Sequence, residues 1–177
     1  MGINKIGDGQ AWKFGDDIST DLIAPGQYFH LRSNLSELAK HVLEGAEVEH
    51  TDSKFAELFS QGDFVVAGRN FGMGSSREHA AAIIKISGVS AVLAKSFARI
   101  FFRNAINVGL PVIQCDTGRI EPLDILQLNL KEGFVEDKTR NFKLPFAPLP
   151  GIMLRILNSG GLRKYVKEHN GLVLPRD

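Results

Sequence analysis

The chain has a single cysteine, Cys115, among its 177 residues. One thiol excludes an internal disulfide, and it excludes a multi-cysteine metal or iron–sulfur site built by this chain alone. No apolar run is long enough to span a bilayer. The N-terminus, Met1-Gly2-Ile3-Asn4-Lys5-Ile6, lacks the apolar stretch of a secretory leader, and Ile6 stands where N-myristoylation needs Ser or Thr. Charge of one sign is missing too: 21 basic and 20 acidic residues leave a net charge of +1. That balance argues against the concentrated basic surface of a nucleic-acid binder. The five histidines are scattered and form no His-Glu-x-x-His or similar ligand spacing, so no metal site is expected from them. These absences predict a cytoplasmic protein, in which the sequon Asn34-Leu35-Ser36 is a chance match.

What is present is the composition of a folded domain, 44% apolar and 23% charged, and residues 1–177 read as one domain with a real core. A loop-rich segment, Asp16 to Ser33, precedes an amphipathic helix over Leu35–Leu43 and a short helix over Lys54–Phe59. Apolar strands are expected at Phe64–Ala67, Ser90–Ala94 and Pro111–Gln114, separated by helices at Ser76–Ile86 and Phe97–Asn107. Gly88 and Gly109 stop those helices, and Ser96 stands where an N-cap for the second belongs. Short buried strands alternating with helices imply parallel βαβ units. After Cys115 the pattern changes to short strands, Leu126–Leu130, Gly133–Val135 and Asn141–Leu144, and two closing helices, Ile152–Leu157 and Leu162–Glu168. The fold class is α/β, with a mixed, largely parallel sheet and flanking helices. Ligands in such sheets sit beyond the carboxyl ends of the strands, here Gly68 to Ser76 and Lys95 to Ser96.

The first of these ends carries the densest chemistry: Gly68-Arg69-Asn70-Phe71-Gly72-Met73-Gly74-Ser75-Ser76-Arg77-Glu78-His79. Three glycines allow tight turns and close approach of backbone to a ligand. Two hydroxyls and a guanidinium then reach a helix start, where free N–H groups and the macrodipole attract anions. A purely structural reading exists, because Ser75 and Glu78 have the spacing of a capping box. It leaves Arg77, the second serine and the three glycines without a purpose.

Rival motifs fail on particular residues. A P-loop needs Gly-Lys-Ser/Thr, but Gly74 is followed by two serines. The dinucleotide fingerprint needs Gly where Arg77 stands, and a nucleophile elbow needs Gly-x-Ser-x-Gly, a frame that neither serine has. His79 follows the serines directly, and adjacent helical side chains point apart, which argues against a Ser–His dyad. A carboxylate ligand is favoured over phosphate.

A second cluster, Asp16-Asp17-Ile18-Ser19-Thr20-Asp21, packs carboxylates and hydroxyls into a few residues. It reads as Asx and Ser/Thr turn chemistry, or as a brace in which Thr20 and Asp21 hold an arginine or a substrate hydroxyl. Beyond it, Tyr28-Phe29-His30-Leu31-Arg32-Ser33 offers a guanidinium on a loop.

These stretches resemble the swivelling domain of the aconitase superfamily, and in particular the separate small subunits of 3-isopropylmalate dehydratase and homoaconitase. The resemblance covers most of the chain. It rests on Asp17 to Asp21, on Gly72-Met73-Gly74-Ser75-Ser76-Arg77-Glu78-His79-Ala80, and on Ser96-Phe97-Ala98-Arg99-Ile100-Phe101-Phe102-Arg103-Asn104-Ala105.

It implies a swivelling-type domain with β/β/α layers and a hydro-lyase subunit. Such an enzyme moves the hydroxyl of a 2-hydroxy di- or tricarboxylic acid to the neighbouring carbon, as in leucine biosynthesis. A cluster-bearing large subunit is the implied partner, and its [4Fe–4S] centre acts as Lewis acid on the departing hydroxyl. Carried over by motif, Ser75 is the catalytic base, Ser76 and Arg77 hold a substrate carboxylate, and Thr20, Asp21 and Gly74 support them. The segment after Tyr28 contacts the variable part of the substrate, where an arginine favours an extra carboxylate and an aliphatic residue an alkyl group. Its register leaves Leu31 or Arg32 facing the substrate, so isopropylmalate, homoaconitate and 2,3-dimethylmalate all stay open. Arg99 either joins this site or ties its helix to the sheet. The alternative outside enzymology is a module that binds a carboxylate or phosphate without turnover.

Overall fold

The computed structural model describes residues 4–50, 54–75 and 77–171. In chain order these form β1 (Lys5–Lys13), α1 (Thr20–Ile23), α2 (Leu35–Leu38), α3 (Phe55–Leu58) and β2 (Phe64–Ala67). Then come α4 (Glu78–Ser87), β3 (Ala91–Ala94), α5 (Arg99–Val108) and β4 (Val112–Gln114). The last part holds β5 (Ile125–Asn129), β6 (Phe134–Asp137), β7 (Phe142–Pro145), α6 (Gly151–Asn158) and α7 (Leu162–His169).

The strands make one seven-stranded sheet in the order β4-β3-β2-β1-β5-β6-β7. Pairing is parallel from β1 through β2 and β3 to β4, and antiparallel from β1 through β5 and β6 to β7. The sheet is therefore mixed, and β1 is its hinge, parallel to β2 on one side and antiparallel to β5 on the other.

Both faces of β2 and β3 are buried, which is why these strands read as unbroken apolar runs. Val65, Ala67, Val92 and Ala94 join the helix-side core with Ile83, Ile84, Phe101 and Leu157. Phe64, Val66, Ala91 and Leu93 point the other way, onto Leu126, Leu128, Val135 and Leu144 of the antiparallel arm. The sheet thus curls so that its antiparallel half covers one face of its parallel half, with helices on the other. Each large apolar side chain so buried contributes about 1.5–3 kcal/mol.

Several expectations need correction. The nine-residue strand β1 was not anticipated. The loop-rich segment 16–33 also holds α1 and a 3₁₀ helix over Gly26–Leu31. The helix expected over Leu35–Leu43 breaks after Leu38 into a 3₁₀ turn, Ala39–His41. Ser96 does not cap α5, whose N-cap is Ala98; its hydroxyl instead accepts a hydrogen bond from the backbone N–H of Asn70, 2.8 Å away. Finally, α4 starts at Glu78 rather than Ser76. No helix among the described residues is long and apolar enough to cross a membrane.

Candidate carboxylate-binding site beyond the parallel strands

Beyond β2 the chain crosses to the end of β3 and is stitched there. Lys95 donates its N–H to the carbonyl of Gly68, Phe71 donates to Ser96, and Phe71 and Phe97 form a parallel bridge. On its other side the same loop meets the acidic cluster. Asp17 donates its N–H to Arg69, Gly72 to Ile18 and Thr20 to Met73, at 2.7–2.8 Å. Side chains complete the seam. Asp16 Oδ1 accepts from the Arg69 N–H at 2.6 Å, and Asn70 Nδ2 donates to Asp17 Oδ1 at 2.8 Å. Two motifs far apart in sequence thus become one surface.

Gly72 and Gly74 make this packing possible. Gly72 has φ +79°, and a Cβ there would lie 2.2 Å from Cγ of buried Phe101. Gly74 has φ +106°, and a Cβ would meet the Thr20 hydroxyl at 3.2 Å. Both conformations are strained for any residue with a side chain.

Arg77 is the N-cap of α4, and its own side chain makes no capping hydrogen bond. Ser75 lies two residues before that cap, so the capping-box reading of Ser75 and Glu78 fails. Ser75 is exposed, and its carbonyl accepts from the Arg77 N–H at 2.7 Å and from the Thr20 hydroxyl at 3.3 Å. The Arg77 side chain, 24% exposed, forms an ion pair with Asp21 and donates to the carbonyl of Ala24 at 3.3 Å. Both bonds leave from Nη1. A guanidinium has five N–H donors in a planar fork, and neither of these two bonds uses the Nε and Nη2 edge. The N-terminal N–H groups of α4 add to the same positive field.

The structure therefore brings Thr20, Asp21, Gly74, Ser75 and Arg77 together. Ser76 lies outside the described residues. Arg32 takes part in none of the contacts described above. It is exposed, its guanidinium stacks 4.4 Å over the Phe29 ring, and Leu31 packs inward on the core. Phe29 in turn meets the His79 ring edge-on, centroids 6.3 Å apart. Partial burial, with the Arg77 charge second, lowers the pKa of His79 and favours its neutral ring. Arg99 is exposed at the start of α5, and none of the described ion pairs uses it.

Ser96 was expected as a helix cap and Asp16 as part of the acidic cluster, but neither they nor Asn70 and Phe29 were expected as the partners that hold this region. Only Asn70 carried a readable signal, because Asn tolerates the left-handed backbone it adopts at φ +61°.

Residues 13–117, more than half the chain, match the model of the aconitase C-terminal domain. The chain belongs to the aconitase C-terminal domain family. Among curated relatives, the 3-isopropylmalate dehydratase small subunit 2 of Archaeoglobus fulgidus is 58% identical over 164 residues, covering 93% of this chain and 96% of the relative. The small subunit 1 of the same enzyme in Thermotoga maritima is 56% identical, covering 91% of this chain and 95% of the relative. The crystal structure of a 3-isopropylmalate dehydratase from Methanocaldococcus jannaschii superposes with a TM-score of 0.85 at 44% identity, covering 94% of this chain and 95% of that one. For this aconitase-type domain, the loop that carries Gly74, Ser75 and Arg77 lies inside the matched region.

The residues present do not suit a cluster held by this chain. Cys115 is buried, and burial followed by the nearby Asp116 charge pushes its thiol up to about 12, far from the thiolate that iron requires. Among the described residues, no group of three or more His, Cys, Asp or Glu could hold a metal ion.

Proposed function

We propose that this chain is the small subunit of a 3-isopropylmalate dehydratase, a hydro-lyase of leucine biosynthesis in the cytoplasm, active only when docked on a cluster-bearing large subunit. The observation that carries this reading is the Arg77 guanidinium, pinned by Asp21 and Ala24 through Nη1 beside exposed Ser75 at the start of α4. A [4Fe–4S] centre on the partner would supply the Lewis acid for the leaving hydroxyl.

The chain's own share is binding and proton transfer. Arg77 receives one substrate carboxylate on its Nε/Nη2 fork, and Ser76 joins it by the family pattern. Ser75 takes the carbon-bound proton next to that carboxylate. Its alkoxide is poor in water, and here it gains support from Arg77 and from the α4 dipole once the partner covers this exposed edge. The carbonyl of Ser75 is held by Thr20, which fixes the approach of its hydroxyl.

Anaerobic mixing with a cluster-loaded 3-isopropylmalate dehydratase large subunit, followed by absorbance of the unsaturated intermediate, tests this. Wild type turns over isopropylmalate, and Ser75→Ala loses about 10³-fold in kcat, with melting temperature and subunit association unchanged. Absence of turnover with every malate derivative overturns the proposal in favour of a non-catalytic carboxylate- or phosphate-binding module.

A second reading, homoaconitase, is favoured by one observation: Arg32, just after the Gly26–Leu31 segment, is exposed, whereas Leu31 packs on the core. A panel of isopropylmalate, homocitrate and 2,3-dimethylmalate decides between the substrates.

A further inference from the structure

The 3₁₀ helix Gly26–Leu31 buries no residue fully, yet it carries Phe29 and leads straight to Arg32, on the side facing α4. A short surface element of this kind needs something to hold it still. Three side chains outside the carboxylate site do so. The Tyr28 hydroxyl donates to Glu44 Oε1 at 3.0 Å, and His41 Nδ1 meets Glu44 Oε2 at 2.7 Å. The rings of Tyr28 and His41 stack with centroids 3.6 Å apart and planes 13° from parallel. Lys54 approaches Glu44 Oε1 at 3.6 Å.

Glu44 thus accepts from both members of a ring stack, and the His41 contact, ahead of the others, holds its carboxyl below the usual range. Its neighbour Leu43 donates its N–H to Ile23 of α1 at 2.9 Å, and α1 also carries Asp21, the partner of Arg77. The clamp and the carboxylate site therefore share one support.

We infer that Glu44 and His41 are positioning residues for substrate discrimination: through Tyr28 they fix how far Phe29 and Arg32 stand from the Arg77 site. This rests on the dehydratase reading above. Neither residue touches the substrate. They set the width of the space left for the group that differs between an alkyl malate and one bearing an extra carboxylate.

The test uses the chain reconstituted anaerobically with a cluster-loaded large subunit. Tyr28→Phe keeps the ring stack and deletes only the hydroxyl bond, while Glu44→Ala deletes both bonds and Glu44→Gln keeps an acceptor for Tyr28. The ratio of kcat/KM for isopropylmalate over homocitrate shifts by about fivefold in Tyr28→Phe and further in Glu44→Ala, mainly through KM, and returns to within about twofold in Glu44→Gln. In the isolated chain, the amides of Tyr28 and Arg32 exchange about tenfold faster in Glu44→Ala. A discriminating wild type whose ratio is unmoved in the variants overturns the inference, whatever the exchange rates do. If wild type shows no turnover, the dehydratase reading falls and unchanged exchange at these two amides overturns the clamp separately. Should Glu44→Ala fail to fold, Tyr28→Phe decides alone.

Discussion

Asp21, in the first turn of α1, forms an ion pair with Arg77, the N-cap of α4, and so joins the acidic motif to the glycine–serine loop. The Asp21 side chain is 61% exposed, so screening leaves the pair little weight in global stability. Its effect is on position. It occupies one nitrogen of the fork, and in the proposed reading this sets the direction of the opposite edge.

Removing the charge at Asp21 should therefore weaken binding more than folding. Asp21→Asn is expected to raise KM about tenfold, with kcat changed less and the melting temperature lowered by about 2 °C at most. Arg77→Lys should lose about a hundredfold in kcat/KM, because an ammonium cannot serve Asp21, Ala24 and a bidentate carboxylate at once. Steady-state kinetics and thermal melts of both variants check this. A large loss of stability in Asp21→Asn would show that the pair is structural.

The two loop glycines should separate stability from activity. Gly72→Ala puts a methyl 2.2 Å from the Phe101 ring in a left-handed conformation, and that ring is held between Phe71 and Phe97 at centroid distances of 5.1 and 6.3 Å. Backbone strain and a clash with no room to relax should cost about 3 kcal/mol. At Gly74 the added methyl meets, among the described residues, the Thr20 hydroxyl at 3.2 Å and the Thr20 nitrogen at 4.0 Å, near an exposed turn. Gly74→Ala should cost about 1 kcal/mol while displacing Ser75 enough to remove most turnover. Urea midpoints beside kcat values distinguish the two cases.

Which parts of this architecture were legible follows from how locally each is encoded. β2, β3 and β4 are apolar on both faces, and α4 and α5 end at Gly88 and Gly109, so run length and punctuation locate them. β1 was invisible because Lys5-Ile6-Gly7-Asp8-Gly9-Gln10 is polar and carries two glycines. Its pairing with β5, broken in register between Ile6 and Gly9, is a tertiary fact that no local propensity encodes. The glycine–serine loop was conspicuous because its residue types are unusual in combination. Its partnership with Asp17, Ile18 and Thr20 rests on backbone hydrogen bonds, which any residue type can supply, and the Asp16 and Asp17 carboxylates add side-chain bonds to Arg69 and Asn70, each 53 residues away in sequence. The start of α4 was misplaced for a related reason. Ser75 and Glu78 spell a cap, but Gly72 and Gly74 carry the chain past it.

A buried carboxyl pair gives the antiparallel arm a pH dependence of known sign. Asp137 is fully buried at the end of β6, and its Oδ1 accepts from the Arg140 N–H at 2.8 Å. Its Oδ2 has no conventional partner among the described residues, while neighbouring Asp124 is paired with Arg140 Nε at 3.0 Å. Burial first, then the Asp124 carboxylate, raises the pKa of Asp137 above its ordinary 3.8, which favours a proton shared between the two side chains. The folded pKa lies above the unfolded one, so this stabilisation is complete below the unfolded value and is lost as pH rises through the folded one. Asp137→Asn carries a permanent donor in place of the proton. It should match wild type below the ordinary carboxyl value of 3.8 and exceed it at alkaline pH, flattening the stability profile. Asp137→Ala, which strands the Arg140 N–H and leaves Asp124 without that proton donor, should cost about 1–3 kcal/mol. Denaturant titrations across this pH range measure both, and an Asp137→Asn curve parallel to wild type would show that the proton is not shared.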